Sequence, residues 1–322
     1  MSGAAQSLAQ SRRWKPWEIA FLVLLPLSWF AAGEQHSLLA NEIAIFALFA
    51  LSLDLILGYA GIVSLGHAAF FGTGAYAAAL FAKFVMPDPL VGLVVATAVT
   101  AVLGAASSVL VMRGSDMARL MITLGVAAIL YELANKLEFT GGADGLQGVT
   151  IAPLLGRFEF DLYGRVAFAY ALVVLIIGLL IARRIVHSPF GWSLQAIRDN
   201  RLRAGAIGLN VDARLGVIYT ISAAMAGAAG GVLAQTTGFA SLDGLDFHRS
   251  ADTMLMVVIG GAGWLWGGVF GAIAFKLLHD LLSAWTPQYW TFWLGLFLVV
   301  LVMVGRDRFF KPWTWFRKGG GA

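Results

Sequence analysis

The stretch GYAGIVSLGHAAFFGTGAYAAALFA, residues 58–82, determines how the rest of the chain is interpreted. A helix that only crosses lipid is rich in Leu, Ile and Val, and each glycine inside a helix costs about 1 kcal/mol relative to Ala. Here glycine and alanine instead allow backbones to approach closely, while Ser64 and His67 bring hydrogen-bonding groups to membrane depth. The stretch therefore predicts tight helix packing or a broken helix beside a transport pathway. The alternative is a structural helix, packed through glycine, in which His67 is satisfied.

The composition indicates a polytopic membrane protein. Of the 322 residues 59% are hydrophobic and 12% are charged, whereas about a quarter of the residues of soluble domains are charged. The 22 Lys and Arg and 18 Asp and Glu give a net charge of +4. Because the basic residues lie in short runs between apolar segments, they favour the positive-inside rule over nucleic-acid binding. The absence of cysteine excludes disulfides, thiolate metal sites and a Cys nucleophile.

Apolar segments recur along the chain at membrane length. They are residues 19–32, 38–57, 58–82, 90–112, 118–137, 166–182, 215–236, 253–283 and 290–304. The first resembles a signal peptide, but the many later segments favour a retained span. The segment 253–283 is split by glycines at 260–263 and again at 267–268, and we count it as two short passes. The total is then ten, and an even number places both basic termini on one side of the membrane.

Charge assigns the loops to the two sides. Residues 138–165 carry more acidic than basic side chains, which predicts a periplasmic loop. Residues 183–214 carry six Arg and two Asp, which predicts a cytoplasmic loop. The domain prediction is a cytoplasmic tail over 1–16, a transmembrane domain over 17–305 and a second cytoplasmic tail over 306–322. A glycine-rich segment near residue 260 is similar to residues 58–75. This similarity fits two halves of the chain related by a repeat, although glycine content alone could produce it.

Motifs for catalysis and nucleotide binding are missing from the sequence. There is no G-x-x-x-x-G-K-[ST] phosphate loop, no H-E-x-x-H and no G-x-S-x-G. The five histidines are scattered over different segments, so we expect no metal site. Two charge pairs at i,i+4 spacing, Lys276 with Asp280 and Glu132 with Lys136, are interpreted as structural pairs near membrane ends.

One cytoplasmic stretch predicts a docking helix. In GWSLQAIRDNRLRAGAIGLN, residues 191–210, an intermittent apolar face alternates with basic residues, and Gly208 can end the helix. The apolar face consists of Leu194, Ile197, Leu202, Ala206 and Ile207. Such a helix suits a cytoplasmic partner. The alternative is a helix lying on anionic lipid.

Three patches of the chain resemble one family. They are LGYAGIVSLGHAAFFGTGAYAAAL from Leu57, FTGGADGLQG from Phe139, and GWSLQAIRDNRLRAGAIGLN from Gly191 with the later MVVIGGAGWLWGGVFGA. Through these patches the chain resembles LivM-type permeases, the membrane subunits of branched-chain amino acid ABC importers, over nearly all of residues 38–304. The second patch favours this subunit over its sister permease.

The resemblance implies an all-α polytopic membrane protein with the ten-helix arrangement of type II importers. It implies a heterodimer with a sister permease, one or two cytoplasmic ATPase subunits and a periplasmic substrate-binding protein, in the bacterial inner membrane with both termini cytoplasmic. ATP and Mg²⁺ would belong to the ATPase. This chain would hold no cofactor, metal or catalytic residue, in agreement with the missing phosphate loop.

The residues and the resemblance together predict three sets of site residues. The translocation pathway is expected to involve Asp54, Gly58, Tyr59, Gly61, Ser64, Gly66, His67, Gly260, Gly261 and Gly263. The loop that couples to the ATPase is expected to involve Arg198, Asp199, Asn200, Arg201, Arg203, Ala204 and Gly208. The periplasmic loop contributes Thr140, Gly141, Gly142, Asp144 and Gly145. We further expect Asp54 and His67 to form a buried polar pair or a gate contact.

Two departures from the family pattern bear on function. Relatives usually carry acidic residues around the alanines of the coupling helix, whereas Arg201, Arg203 and Gly205 stand nearby here, so the ATPase cleft should be correspondingly more acidic. Asp54 stands where relatives usually carry Asn, which leaves the substrate open between branched-chain or related hydrophobic amino acids and urea, amides or aromatic acids.

The rival hypothesis from another functional class is a proton-coupled secondary transporter that uses Asp54 and His67. An intramembrane enzyme is a weaker rival, because no nucleophile-base pair is found.

Overall fold

The computed structural model describes residues 15–304 except 32, 34, 35, 115 and 162. The predicted tails, 1–16 and 306–322, lie outside the described residues except for Lys15 and Pro16. Within the described ranges the chain forms helices and short helical turns and no extended strand. The helices are α1 (Pro16–Ala31), α2 (Ser37–Asp54), α3 (Ala68–Phe84), α4 (Pro89–Arg113), α5 (Asp116–Lys136), α6 (Arg165–Val186), α7 (Pro189–Asp199), α8 (Arg201–Ala206), α9 (Val211–Thr237), α10 (Phe247–Gly260), α11 (Gly267–Trp285) and α12 (Trp290–Val304).

Six stretches in this part of the chain are long and apolar enough to cross a membrane. They are Ser37–Tyr59, Pro89–Arg113, Met117–Lys136, Arg165–Val186, Val211–Thr237 and Gly267–Trp285. Two shorter apolar helices, Pro16–Phe30 and Ala68–Phe84, accompany them. The remaining apolar helices, α10 and α12, have 14 and 15 residues, which at about 1.5 Å per residue makes each somewhat shorter than the hydrocarbon layer.

The helices share two opposite ends that differ in charge. At one end lie α7, α8 and the arginines that close α6, and we call it the basic end. At the other end lie the connections 137–164 and 238–246, and we call it the acidic end. There Leu146 and Ala240 form an isolated antiparallel bridge, which joins the two connections. The basic loop and the acidic connections therefore lie at opposite ends of the bundle.

The centre of the bundle is α2. Within its apolar window 78% of the residues are buried, compared with 22% for Met117–Lys136. α2 packs against α6, α9 and α11, and α9 packs in turn against α3 and α4. Small residues make these contacts close: a Cβ added to Gly74 would lie 2.2 Å from the Gly227 carbonyl oxygen. The tight packing predicted for residues 58–82 is thus found along α3.

Two non-helical connectors interrupt the bundle. Residues 60–67, the first connector, separate the end of α2 from α3. Residues 261–266, the second connector, separate α10 from α11. The expected second split at Gly267-Gly268 is wrong, because both residues lie in the first turn of α11.

Candidate functional site

A widened helical turn precedes the first connector. Leu55–Tyr59 form a π-helix that continues α2, and the Ile62 amide donates to the Ile56 carbonyl oxygen at 2.8 Å. The following Gly61 has a φ of +71°, a conformation that side chains rarely adopt. Single π turns inside α-helices occur frequently at functional sites. The chain therefore leaves the buried helix α2 through an irregular turn.

The end of α2 meets the second connector at the basic end. The Gly263 amide of the second connector donates to Asp54 Oδ1 at 2.8 Å. A Cβ added to Gly58 would lie 2.2 Å from both Asp54 Oδ1 and the Gly263 nitrogen. Only glycine at position 58 permits this approach, so the end of α2 and the second connector form one packed unit.

An arginine from the basic loop reaches this unit. The Arg198 guanidinium of α7 donates through Nη1 to the Gly58 carbonyl oxygen. A Cβ on Gly61 would lie 2.8 Å from Arg198 Cγ, and one on Gly263 would lie 3.2 Å from Arg198 Nη1. Arg198 thus contacts both connectors, and we call this cluster of Asp54, Gly58, Gly61, Arg198 and Gly263 the arginine junction. Residues predicted separately for the pathway and for coupling are in direct contact there.

Asp54 and His67 have separate partners. His67 is fully buried; its Nε2 lies 2.9 Å from Ser52 Oγ and 3.4 Å from Ser222 Oγ. Its ring also stacks on Phe49 with the centroids 5.6 Å apart. Residues two apart on a helix do not share a face, so Ser52 and Asp54 point in different directions. The expected polar pair of Asp54 with His67 is therefore replaced by two contacts on different sides of α2.

The role of Asp54 can be tested by separating its charge from its hydrogen bond. We expect Asp54→Asn to keep uptake within about threefold of the unchanged protein, because the amide oxygen can still accept from Gly263. We expect Asp54→Leu to reduce uptake about tenfold, since the Gly263 amide would lose a buried acceptor worth about 1–3 kcal/mol. Initial uptake rates in proteoliposomes measure both. Complete loss in Asp54→Asn would instead point to proton transfer through the carboxyl group.

The other residues predicted for the pathway are held by close packing. A Cβ on Gly66 would lie 2.0 Å from the Thr123 carbonyl oxygen, and one on Gly260 would lie 1.7 Å from the Gly267 carbonyl oxygen. Ser64 lies beside the Tyr219 hydroxyl. Substitution of Gly66 is therefore expected to disturb the packing of α5. Tyr59 ends the π turn, and Gly261 is the first residue of the second connector.

The basic loop folds as two helices, and the prediction of one amphipathic helix is wrong. Asn200 adopts an extended conformation and caps α8, its Oδ1 accepting from the Arg203 amide at 2.9 Å. The short side chain of an Asn at such a position favours a helix start, so the signal was present in the sequence. Asp199, which ends α7, lies 3.7 Å through Oδ1 from Arg198 Nε.

The expected apolar face divides between these two helices. Leu194 and Ile197 of α7 are buried with Ala204, whereas Leu202 and Ile207 are 87% and 71% exposed. The exposed residues lie on and just after α8, which presents them together with Arg203 away from the bundle. Arg201 is paired with Asp212 at 2.5 Å, and Gly208, with a φ of +88°, ends the segment.

The residues predicted for the periplasmic loop lie in two short helical turns at the acidic end. Thr140 is buried and its hydroxyl donates to the Ala134 carbonyl oxygen at 2.6 Å. Gly141, Gly142 and Gly145 have positive φ, and Asp144 ends the second turn. A Cβ on Gly145 would lie 2.5 Å from the Ala240 carbonyl oxygen. These glycines therefore fix the contact between the two acidic-end connections.

One of the two predicted charge pairs is wrong. Lys276 Nζ lies 2.8 Å from Glu42 Oε1 and 3.9 Å from the centre of the Phe46 ring, so the side chain turns into the bundle. The expected partner Asp280 lies on the same helix, but the face of α11 that carries Lys276 packs against α2. The other pair, Glu132 with Lys136, is present at 4.0 Å on the surface.

Within the described ranges no group of three His, Asp or Glu side chains is placed to hold a metal.

These features define a multi-pass helical membrane protein whose long buried helix and second connector meet beneath a basic loop. Residues 37–305 match the family described as "Branched-chain amino acid transport system / permease component". The chain belongs to this family. Membership makes it a transport component rather than an enzyme.

Named relatives agree with the family assignment. The chain is 29% identical to the high-affinity branched-chain amino acid transport system permease protein LivM of Salmonella typhimurium and equally to that of Escherichia coli, over 91% of this chain and 74% of each relative. It is 27% identical to the fructose import permease protein FruG of Bifidobacterium longum, over 60% of this chain and 58% of that protein. No solved structure matches the chain.

Proposed function

We propose that the chain is the permease subunit of an ABC importer for branched-chain or related hydrophobic amino acids. It forms the pathway with a sister permease, receives substrate from a periplasmic binding protein and is driven by one or two cytoplasmic ATPases that bind ATP and Mg²⁺. The observation that carries the proposal is the arginine junction, in which a loop side chain contacts both connectors. The resemblance to LivM over nearly the whole chain supports the substrate class.

The membrane arrangement follows from the helix order. α1 to α6 and α9 to α12 cross the membrane ten times, with the breaks at glycine-rich connectors. The basic end is cytoplasmic, as the positive-inside rule requires, and both termini lie on that side of the inner membrane. This orientation directs α7 and α8 toward the ATPase and the acidic connections toward the binding protein.

The transport cycle acts through the arginine junction. Movement of the ATPase shifts α8 and α7, and Arg198 transmits the shift to the Gly58 carbonyl and to the second connector. Because α2 is the most buried span, its body stays in place while its irregular last turn moves. The two connectors therefore open and close together and act as the gate.

The ATPase docks on the exposed surface of α8. Leu202 and Ile207 supply apolar contact there, and Arg203 forms no ion pair among the described residues. We expect Arg203→Glu to reduce co-purification of the ATPase at least about tenfold, because a repulsive charge would face an acidic cleft. Pull-down of the tagged permease in mild detergent, with quantification of the ATPase, measures this.

Arg184→Glu is the matched control for Arg203→Glu. Arg184 is also an exposed arginine at the basic end, but it lies on α6 away from α8. Its reversal should leave the ATPase bound. Arg201 is unsuitable for this comparison, because its reversal would break the ion pair with Asp212. Equal retention of the ATPase by both variants would contradict docking on α8.

The function itself is tested by purification and reconstitution. The chain should co-purify from its native membrane with a sister permease and an ATPase in near-equal amounts. In proteoliposomes with the binding protein, L-leucine uptake should require ATP and persist when a proton gradient is collapsed. Purification as a lone chain whose uptake stops with an uncoupler would instead establish the secondary transporter. Competition by urea, amides and aromatic acids against leucine distinguishes the other substrates of the family.

A further inference from the structure

A cavity of about 300 Å³ lies at the basic end beside the arginine junction. That volume is at the lower limit of small-molecule pockets, which measure about 300–1,000 Å³. Its walls come from α1, the π turn, α7 and the second connector. They include Trp17, Tyr59, Trp192, Gln195, Gly263 and Trp266. The π turn, α7 and the second connector therefore contribute to both the arginine junction and the cavity.

The polar groups of the cavity favour a negatively charged ligand. Trp266 is 2% exposed, and its indole Nε1, a hydrogen-bond donor, has no partner among the described residues. Lys15 also lines the cavity and forms no ion pair with any described side chain. The one carboxylate in the lining, Glu18, is neutralised by Arg183 at 3.1 Å. The cavity thus offers one uncompensated positive charge, and an indole donor without a partner lies in its wall.

The apolar groups favour a small hydrophobic body. The Trp17 ring lies 5.9 Å from the Trp264 ring and 5.8 Å from the Trp266 ring, measured between centroids. Together these indoles make an aromatic wall on one side of the cavity. A carboxylate joined to a short aliphatic group would match both the wall and the polar groups.

We infer that this cavity is a regulatory site for a small aliphatic carboxylate, and that its physiological ligand is the transported amino acid on the ATPase side. The identity of the ligand rests on the proposed function. The carboxylate lies near Lys15 on the side of Trp266, while the aliphatic chain packs on the indoles. Because the ligand touches α7 and the second connector together, it holds the junction in its present arrangement. Accumulated substrate thereby inhibits further import.

The test uses the whole transporter complex in lipid nanodiscs without its binding protein. Basal ATP hydrolysis is titrated with L-leucine, with 4-methylpentanoate, which lacks the ammonium group, and with L-leucinamide, which lacks the carboxylate. Both carboxylates should inhibit, and leucinamide should not. Lys15→Gln should raise the inhibitory concentration at least about tenfold, the effect of about 1.4 kcal/mol of lost binding free energy. Lys136→Gln, an exposed substitution at the acidic end, is the matched control.

Uptake measurements separate regulation from transport. Lys15→Gln should import at the normal initial rate but continue when the vesicles are preloaded with leucine. A slow initial rate would place the cavity in the pathway and overturn the regulatory role. Absence of inhibition by both carboxylates, or equal inhibition of Lys15→Gln and Lys136→Gln, would overturn the site. If the complex imports another solute but 4-methylpentanoate inhibits through Lys15, the proposed substrate fails and the carboxylate site stands.

Discussion

Arg198→Gln is expected to separate ATP hydrolysis from transport. The Arg198 guanidinium donates to the Gly58 carbonyl oxygen and lies against Gly61 and Gly263, and the shorter neutral amide cannot keep these contacts. A hydrogen bond to a charged donor contributes about 1.5–3 kcal/mol, so uptake should fall at least about tenfold. Since the side chain is 43% exposed, α7 should fold normally and hydrolysis by the assembled complex should stay within about twofold.

The ratio of substrate imported to ATP hydrolysed is the decisive quantity for Arg198. Both rates are measured in the same proteoliposomes. Arg184→Gln removes another exposed arginine of the basic end, one outside the junction, and should leave the ratio unchanged. Arg198→Lys should be intermediate, because an ammonium keeps the charge but lacks the planar fork of the guanidinium. An unchanged ratio in Arg198→Gln would show that coupling takes another route.

Gly58→Ala is expected to abolish most uptake with the smallest change in size that the site allows. The added methyl group would lie 2.2 Å from Asp54 Oδ1 and 2.2 Å from the Gly263 nitrogen, distances that real contacts do not show. The π turn or the second connector must move, and the hydrogen bond between Asp54 and Gly263 must break. Leaving the partly buried Gly263 amide without its acceptor costs about 1–3 kcal/mol. We therefore expect at least a tenfold loss of uptake and a lower unfolding temperature of the complex.

Gly125→Ala provides the control for Gly58→Ala. Gly125 lies within α5, and a Cβ there would meet no atom within 4 Å. Alanine favours helix over glycine by about 1 kcal/mol, so this variant should melt at the same or a higher temperature and transport normally. Both properties are measured on the purified complex. Normal uptake by Gly58→Ala would show that the two connectors separate without cost.

The spans were predictable because their signal is local. The apolar run from Trp290 to Val304 coincides with α12, and residues 166–182 lie within α6. A continuous stretch of apolar residues has one favourable environment, whatever surrounds it. The first connector was only partly predictable. Its glycines indicated a close approach, but the partners at that approach, Arg198 and Gly263, come from distant parts of the sequence.

The long-range contacts could not be read from spacing. Lys276 and Glu42 are 234 residues apart, whereas the local pattern suggested Asp280 four residues away. Which partner is chosen depends on the face that a helix turns to its neighbours, and α11 turns Lys276 toward α2. The roles assigned to the site residues remain predictions. The structure adds that Asp54, Gly58 and Gly263 are in contact with one another and with Arg198.

The π turn at Leu55–Tyr59 places one residue more than an α-helical turn at the end of the most buried helix. A π turn holds an extra residue compared with an α-helical turn, and the surplus can pass along a helix as neighbouring carbonyls exchange amide partners. Each step would shift the chain beyond it by about 1.5 Å and rotate it, while the helix before it keeps its register. The end of α2 can therefore move along the helix axis while the part of α2 before Leu55 stays in place.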